Sequence, residues 1–276
     1  MNTNSNTYTV IYTTIVVVLV AAVLAFVSQK LGPMQAANEK AETISQILTA
    51  AQFGSKEEWQ KKGNAATLEF YKENIGEAVL VDYEGNVVGS LDCSDAEVYS
   101  TAELKAQNYL VKDSTKIARM KLPVYCFKNG TNVIPIYGAG LWGPVWGYIA
   151  LDEDLQTIRG AYFDHESETP GLGGKIKDDP SFREQFKGKK IDYSDAAPFN
   201  IVKGGAPADK CNAIDAVTGA TMTSNGLHRA INIWLAAYKN ALENNKETAP
   251  EALAEADSLA TAPADSLIIM EEQGNE

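Results

Sequence analysis

Apolar and polar positions divide the chain sharply. Residues 8–27 are uncharged and rich in Val, Ile, Leu and Ala. Twenty such residues at the helical rise cross a hydrocarbon core of about 30 Å, so the pattern predicts one transmembrane helix. Residues 36–53 read as a second helix, with Ile44, Ile47, Leu48 and Ala51 on one face and Gly54 as its stop. The charged stretch 56–74 reads as helical or irregular.

From residue 78 the period changes. Residues 78–92 predict a hairpin that turns at Glu84-Gly85-Asn86, and residues 122–137 another that turns at Asn129-Gly130. Residues 92–113 show little pattern. A tight glycine loop at 138–143 leads to strands at 145–151 and 157–164. Asp179-Pro180-Ser181 opens a short helix, whose Phe182 and Phe186 should pack inward. Residues 199–203 and 211–217 read as short strands. Leu227, Ile231, Trp234, Leu235, Tyr238 and Leu242 then recur at the helical period. The expected fold class is α+β: a mainly antiparallel sheet with flanking helices, behind one N-terminal transmembrane helix. The expected parts are a tail (1–7), the transmembrane helix (8–27), a helical linker region (28–77), the main domain (78–242) and an acidic disordered tail (243–276).

Charge alters this picture little. The net charge is −12, and the segment from 243 onward has nine acidic residues and one lysine, so −8 of it lies there. The body is only mildly acidic, which gives no basic face for nucleic acid. Cys93, Cys126 and Cys211 lack the spacing of a metal site, and no metal is expected. The residues before the apolar run include no Lys or Arg, and the run is longer than the apolar core of a signal peptide, so a retained anchor is expected. Lys30 and Lys40 follow the span. By the positive-inside bias alone they would place that side in the cytoplasm.

The chemistry concentrates in Asp215-Ala-Val-Thr218-Gly219-Ala220-Thr221-Met-Thr223-Ser224, between a strand and a helix. A helix N-terminus presents unpaired N–H groups and a partial positive charge, which stabilise an anion. Such clusters commonly serve only as caps, and Thr223 and Ser224 are placed to cap the following helix. Earlier comes His165-Glu166-Ser167-Glu168-Thr169-Pro170-Gly171-Leu172-Gly173-Gly174-Lys175. It is not a phosphate-binding P-loop, because Thr169 and Ile176 stand where Gly and Ser/Thr are needed. What remains is a Pro-Gly turn with exposed backbone N–H groups. His165 and His228 have no obvious partners in sequence, and Glu166 and Glu168 are not spaced as a hydrolytic pair.

Three stretches, in order, carry a resemblance: Gly138-Ala139-Gly140-Leu141-Trp142-Gly143, Glu168-Thr169-Pro170-Gly171-Leu172-Gly173, and Asp215-x-x-Thr218-Gly219-Ala220-Thr221. With the apolar span, the chain resembles the NqrC family, the C subunits of the sodium-translocating NADH:quinone oxidoreductases, over about residues 8–240. The G subunit of Rnf-type complexes shares two of the motifs and is an alternative. A membrane-tethered binding module without cofactor is another.

The resemblance implies FMN esterified through its phosphate to Thr221, with Thr218 and Thr223 as competing hydroxyls. It implies a flavin site formed by Asp215, Thr218, Gly219, Ala220, Thr223, Glu168, Thr169, Gly171, Leu172, Gly173 and Trp142. It also implies an electron carrier with no catalytic residue and no substrate turnover of its own. Its partners would be the other membrane subunits and, in maturation, an FAD-dependent flavin transferase. The N-terminus would be cytoplasmic, and the main domain would lie on the outer, periplasmic side of a bacterial inner membrane.

Overall fold

The computed structural model describes residues 6–260, and side-chain surroundings as far as residue 244. The N-terminal helix α1 (Asn6–Ala50) is one 45-residue element. The transmembrane helix and the helix expected at 36–53 are thus a single rod running through Gly32-Pro33. Proline removes one intrahelical bond but does not end the helix. Side chains along α1 are exposed through most of its length and become buried from Ala41 on. The exposed part includes the apolar span, consistent with a membrane anchor.

The stretch 56–74 forms two helices, α2 (Lys56–Lys62) and α3 (Asn64–Asn74). They are separated by Gly63, whose φ of 82° is left-handed. Strand β1 (Ile75–Val81) starts earlier than the hairpin reading places it and pairs antiparallel with β2 (Val87–Ser90). The patternless stretch 92–113 holds α4 (Thr101–Val111), which begins with a capping box between Ser100 and Glu103. Four longer strands follow: β3 (Leu122–Phe127), β4 (Asn132–Ala139), β5 (Pro144–Leu151) and β6 (Ile158–His165). The sheet order is β2-β1-β3-β4-β5-β6, and every pairing is antiparallel.

Two short helices, α5 (Lys175–Asp178) and α6 (Pro180–Glu184), lead to β7 (Asn200–Val202) and β8 (Ala213–Asp215). These last strands form a separate parallel pair. The final helix α7 (Thr221–Ala260) does not stop near Leu242. Leu242 is the last buried apolar residue among those whose side chains are described, and the Ala/Glu-rich continuation has high helix propensity and extends the element. The rest of the expected tail, with its apolar Leu267-Ile268-Ile269-Met270, lies outside the described residues.

Alternation along the strands gives the sheet two covered faces. On one, Ile44, Ile47 and Leu48 of α1 are completely buried, and Trp146 and Asp164 both bond to Gln46. On the other, α7 crosses β4 closely. A Cβ on Gly138 would sit 2.5 Å from Ala230 Cβ, and one on Gly226 would overlap the Ala139 carbonyl. Only glycine permits this approach. It fixes the first turns of α7 beside the loop that follows β4.

Candidate functional site

The site lies where three connections meet: the 140–143 loop between β4 and β5, the turn after β6, and the start of α7. Strand β8 delivers the chain to the third of these. Asp215 is exposed and bonded at two points: its backbone N–H donates to Gln185 Oε1 (2.9 Å), and its Oδ1 accepts from Ala206 N–H (2.6 Å). Its place in the motif is therefore to pin the strand end to the neighbouring loop. Thr218 and Gly219 are exposed, and Gly219 has φ of 80°, which turns the chain sharply into the helix. Ala220 is buried, and its carbonyl accepts the first helical bond, from Ser224 N–H (2.9 Å).

Thr221 is therefore the first residue of α7, and it is partly exposed. Thr223 and Ser224 are not caps, because both lie inside the first turn and are buried. Ser224 Oγ accepts from Val217 N–H (3.1 Å), and Thr223 Oγ1 donates to Glu168 Oε2 (2.6 Å). Ala220, at the position where a capping side chain usually stands, has no oxygen to offer. Among the described residues, the N–H groups of Thr221, Met222 and Thr223 have no hydrogen-bond acceptor. Three unpaired donors at the positive end of a long helix can stabilise an anion.

Glu168 joins the three segments. It is 4 % exposed. Its Oε1 accepts from the backbone N–H groups of Leu141 (2.6 Å) and Trp142 (3.0 Å), and its Oε2 from Thr223. No lysine, arginine or histidine forms an ion pair with it among the described residues. Two glycines make room for it: a Cβ on Gly140 or Gly173 would overlap the carboxylate. Gly173 is thus a spacer against Glu168 and Thr223. Glu168 N–H donates to His165 Nδ1 (3.1 Å), which leaves the ring proton on Nε2, a buried atom with no partner among the described residues.

Exposed apolar side chains stand in all three connections. Trp142 is 67 % exposed, Met222 56 %, Leu141 48 % and Leu172 45 %. Trp142 therefore does not take the core-packing role most usual for such a residue, whereas Trp146 is half-buried and donates to Gln46 Oε1 (3.3 Å). Leu172 Cδ2 comes within 3.1 Å of where a Gly219 Cβ would stand, so the second and third motifs touch. The Thr169 carbonyl accepts from Leu172 N–H (3.2 Å) and Gly174 N–H (3.0 Å), closing the turn, and exposed Gly171 has φ of 73°. Leu141 and Met222 lie inside the stretches that carry the motifs but were not among the expected site residues; both are large, exposed apolar side chains outside any buried periodicity, and that was the available signal.

The residues present fit a phosphate-linked flavin. The Thr221 hydroxyl is on the first of three successive residues whose N–H groups lack an acceptor, Gly219 stands two residues before it in the turn, and the three connections carry exposed apolar side chains.

The FMN-binding domain family model matches residues 140–236, the stretch that contains all three connections. The C subunit of the Na(+)-translocating NADH-quinone reductase from Yersinia pestis is 47 % identical over 105 residues, covering 37 % of this chain and 39 % of that one. Its counterpart from Vibrio parahaemolyticus is 33 % identical over 175 residues, covering 62 % of this chain and 64 % of that one. The chain thus matches less than two thirds of the length of these curated relatives. Among solved structures, the corresponding protein from Parabacteroides distasonis superposes with a TM-score of 0.62 at 32 % identity, over 77 % of this chain and 96 % of that one. NqrC from Shewanella oneidensis, at 24 % identity and a TM-score of 0.59 over 76 % of this chain and 99 % of that one, shares the fold. By the sequence it shares with these proteins, and by its sheet and helices, the chain belongs to the NqrC family, the C subunits of the Na(+)-translocating NADH-quinone reductases.

Proposed function

We propose that Thr221 carries FMN through a phosphoester on Oγ1, and that the chain is the electron-transfer subunit of a membrane NADH:quinone oxidoreductase that pumps sodium. The observation that carries this reading is the coincidence at Thr221 of a partly exposed hydroxyl with three unpaired helix N–H groups. The rival hydroxyls are less suited. Thr223 is buried and bonded to Glu168. Thr218 is exposed but stands before the helix start, outside the first turn.

Attachment balances as a group transfer from FAD. A bond forms between Thr221 Oγ1 and the flavin-side phosphorus, the pyrophosphate bond breaks, AMP leaves, and the hydroxyl proton is released. An FAD-dependent transferase is the partner this requires. The phosphodiester retains one negative charge, which the N–H groups of Thr221, Met222 and Thr223 would stabilise. When bound, FMN supplies the capacity to accept and pass on electrons. Leu141, Trp142, Leu172 and Met222 would give the ring an apolar surface, and the unpaired N–H of Gly171 a donor. Residues 8–27 of α1 would anchor the chain in a bacterial inner membrane beside its partner subunits, with the main domain on the periplasmic side.

The test is intact-mass measurement of the full chain made with and without an FAD-dependent flavin transferase. The expected result is a gain of one FMN residue only with the transferase, mapped to the Thr221 peptide and absent from Thr221→Ala. Label in Thr221→Ala, or label mapped to Thr218 or Thr223, overturns the assignment.

A further inference from the structure

We propose that Glu168 is a positioning residue for flavin attachment: its carboxylate fixes the approach to Thr221 and keeps the helix N-terminus open before any cofactor arrives. This rests on the reading of Thr221 as the attachment point. Glu168 is only 4 % exposed, which leaves it little surface with which to touch the flavin. It acts through what it holds.

Two consequences follow from its bonds. The first concerns hydroxyls. In an ordinary helix start, a Ser or Thr side chain satisfies the N–H groups of the first turn. Here every hydroxyl in that turn other than Thr221 is diverted: Thr223 donates to Glu168, and Ser224 accepts from Val217. With Ala220 supplying no side-chain oxygen, the three N–H donors stay free for an anion.

The second concerns the loop. Leu141 and Trp142 donate their backbone N–H groups to one carboxylate oxygen, and their side chains are left exposed on the loop. A carboxylate is suited to this, because it accepts several hydrogen bonds at once and donates none. Packing alone would not require an acceptor. An apolar side chain of similar volume would fill the space but leave three donors unpaired. The space itself is matched to this one group, since Gly140 and Gly173 would each collide with it if they bore a Cβ.

The experiment compares the full chain with Glu168→Gln, Glu168→Leu and Glu168→Ala, each checked for folding by circular dichroism. Two readouts are taken: the rate of FMN transfer from FAD by the transferase, and amide exchange at Leu141 and Trp142 in unlabelled protein. Glutamine can accept from both amides through its side-chain oxygen, so Glu168→Gln should label within about threefold of the parent. Glu168→Leu should label at least about tenfold more slowly, with Leu141 and Trp142 exchanging faster by a similar factor. Thr223→Val serves as a second variant if Glu168→Leu or Glu168→Ala fails to fold, and should slow labelling less than Glu168→Leu. A Glu168→Leu protein that labels at the parent rate with unchanged exchange, or in its absence a Thr223→Val protein that labels at the parent rate, overturns the proposal. Failure of the parent chain to label refutes the reading of Thr221 instead, and the exchange data then decide by themselves whether Glu168 orders the loop.

Discussion

Asp164 and Glu168 stand four residues apart at the end of β6 and just beyond it. Both are almost completely buried, yet the protein stabilises them in different ways. Asp164 has a cation: Lys177 Nζ lies 2.8 Å from its Oδ1, while Gln46 and the His165 N–H donate to it as well. Nearby, Lys56 pairs with Glu42 and donates to Ser45 (3.0 Å), and burial pushes its ammonium below its ordinary pKa. This cluster fastens α1 to the sheet. Glu168 has only neutral donors, drawn from the loop after β4 and from the first turn of α7. One carboxylate fastens architecture; the other arranges a surface. A buried charge with a cation is a tie whose loss leaves a second charge stranded. Removing a buried charge held by amides and a hydroxyl leaves donors unpaired, which costs less but releases their positions.

The contrast breaks most readily at Asp164. Asp164→Ala should cost about 3 kcal/mol, the lower end for a broken buried pair because Lys177 is 38 % exposed and can reach water. Urea unfolding of the detergent-solubilised chain would measure it, and the folded variant should still accept flavin. Glu168→Ala should cost less, about 2 kcal/mol, for one buried hydroxyl and two amides left without an acceptor. Its loss of labelling should nevertheless far exceed that of Asp164→Ala. If the two variants lose labelling in proportion to stability, the distinction between them fails.

Gly173→Ala tests the same point without touching a charge. Its methyl would stand 2.5 Å from Thr223 Oγ1 and collide with Glu168. The expected cost is about 1–2 kcal/mol, with slower labelling. By contrast Gly171→Ala, where the added Cβ meets nothing within 4 Å, bears only the strain of its positive φ.

The smallest expected effect is on pH dependence. Burial raises the phenols of Tyr125, Tyr148, Tyr162 and Tyr238 above their ordinary value, and the Asp164 charge raises Tyr148 and Tyr162 further. The unfolded chain loses these protons near pH 10 while the folded chain retains them, so stability is full below about pH 10 and falls as pH rises beyond it. Asp164→Asn should make that alkaline fall shallower by under about 1 kcal/mol, because Tyr148 and Tyr162 then ionise more readily in the folded state. Glu168→Gln should leave it unchanged. Tyrosinate absorbance recorded alongside unfolding would separate the two.

Much of the chain could be read directly because its signals are local. Asn129-Gly130 placed the β3–β4 hairpin, and the spacing from Leu227 to Leu242 placed α7 on the sheet, since both depend on neighbours within a turn or two. The capping box at Ser100 and Glu103 was equally local and marks α4 in a stretch where hydrophobic spacing is weak. The backbone N–H of Asp215 bonds Gln185, 30 residues away in the chain, a partner that no local pattern indicates. Thr223 and Ser224 look like caps in sequence because nothing adjacent shows that their hydroxyls have other partners.

The amino-acid sequence on its own determined the apolar span, the strand periods, the amphipathic helix and the cluster of small and hydroxyl-bearing residues at its start. Each of these is a property of residues close together along the chain, where period, turn chemistry and propensity act. Only the tertiary structure decided which threonine is open and which is tied, that α1 passes unbroken from its exposed apolar length into the core, and that Glu168 is enclosed. The enclosure of Glu168 and the tying of Thr223 depend on partners 26, 27 and 55 positions apart, and the seating of α1 on partners such as Gln46 and Asp164, 118 apart. A hydrogen bond is specified by where two groups arrive, and no pattern along the chain carries that position.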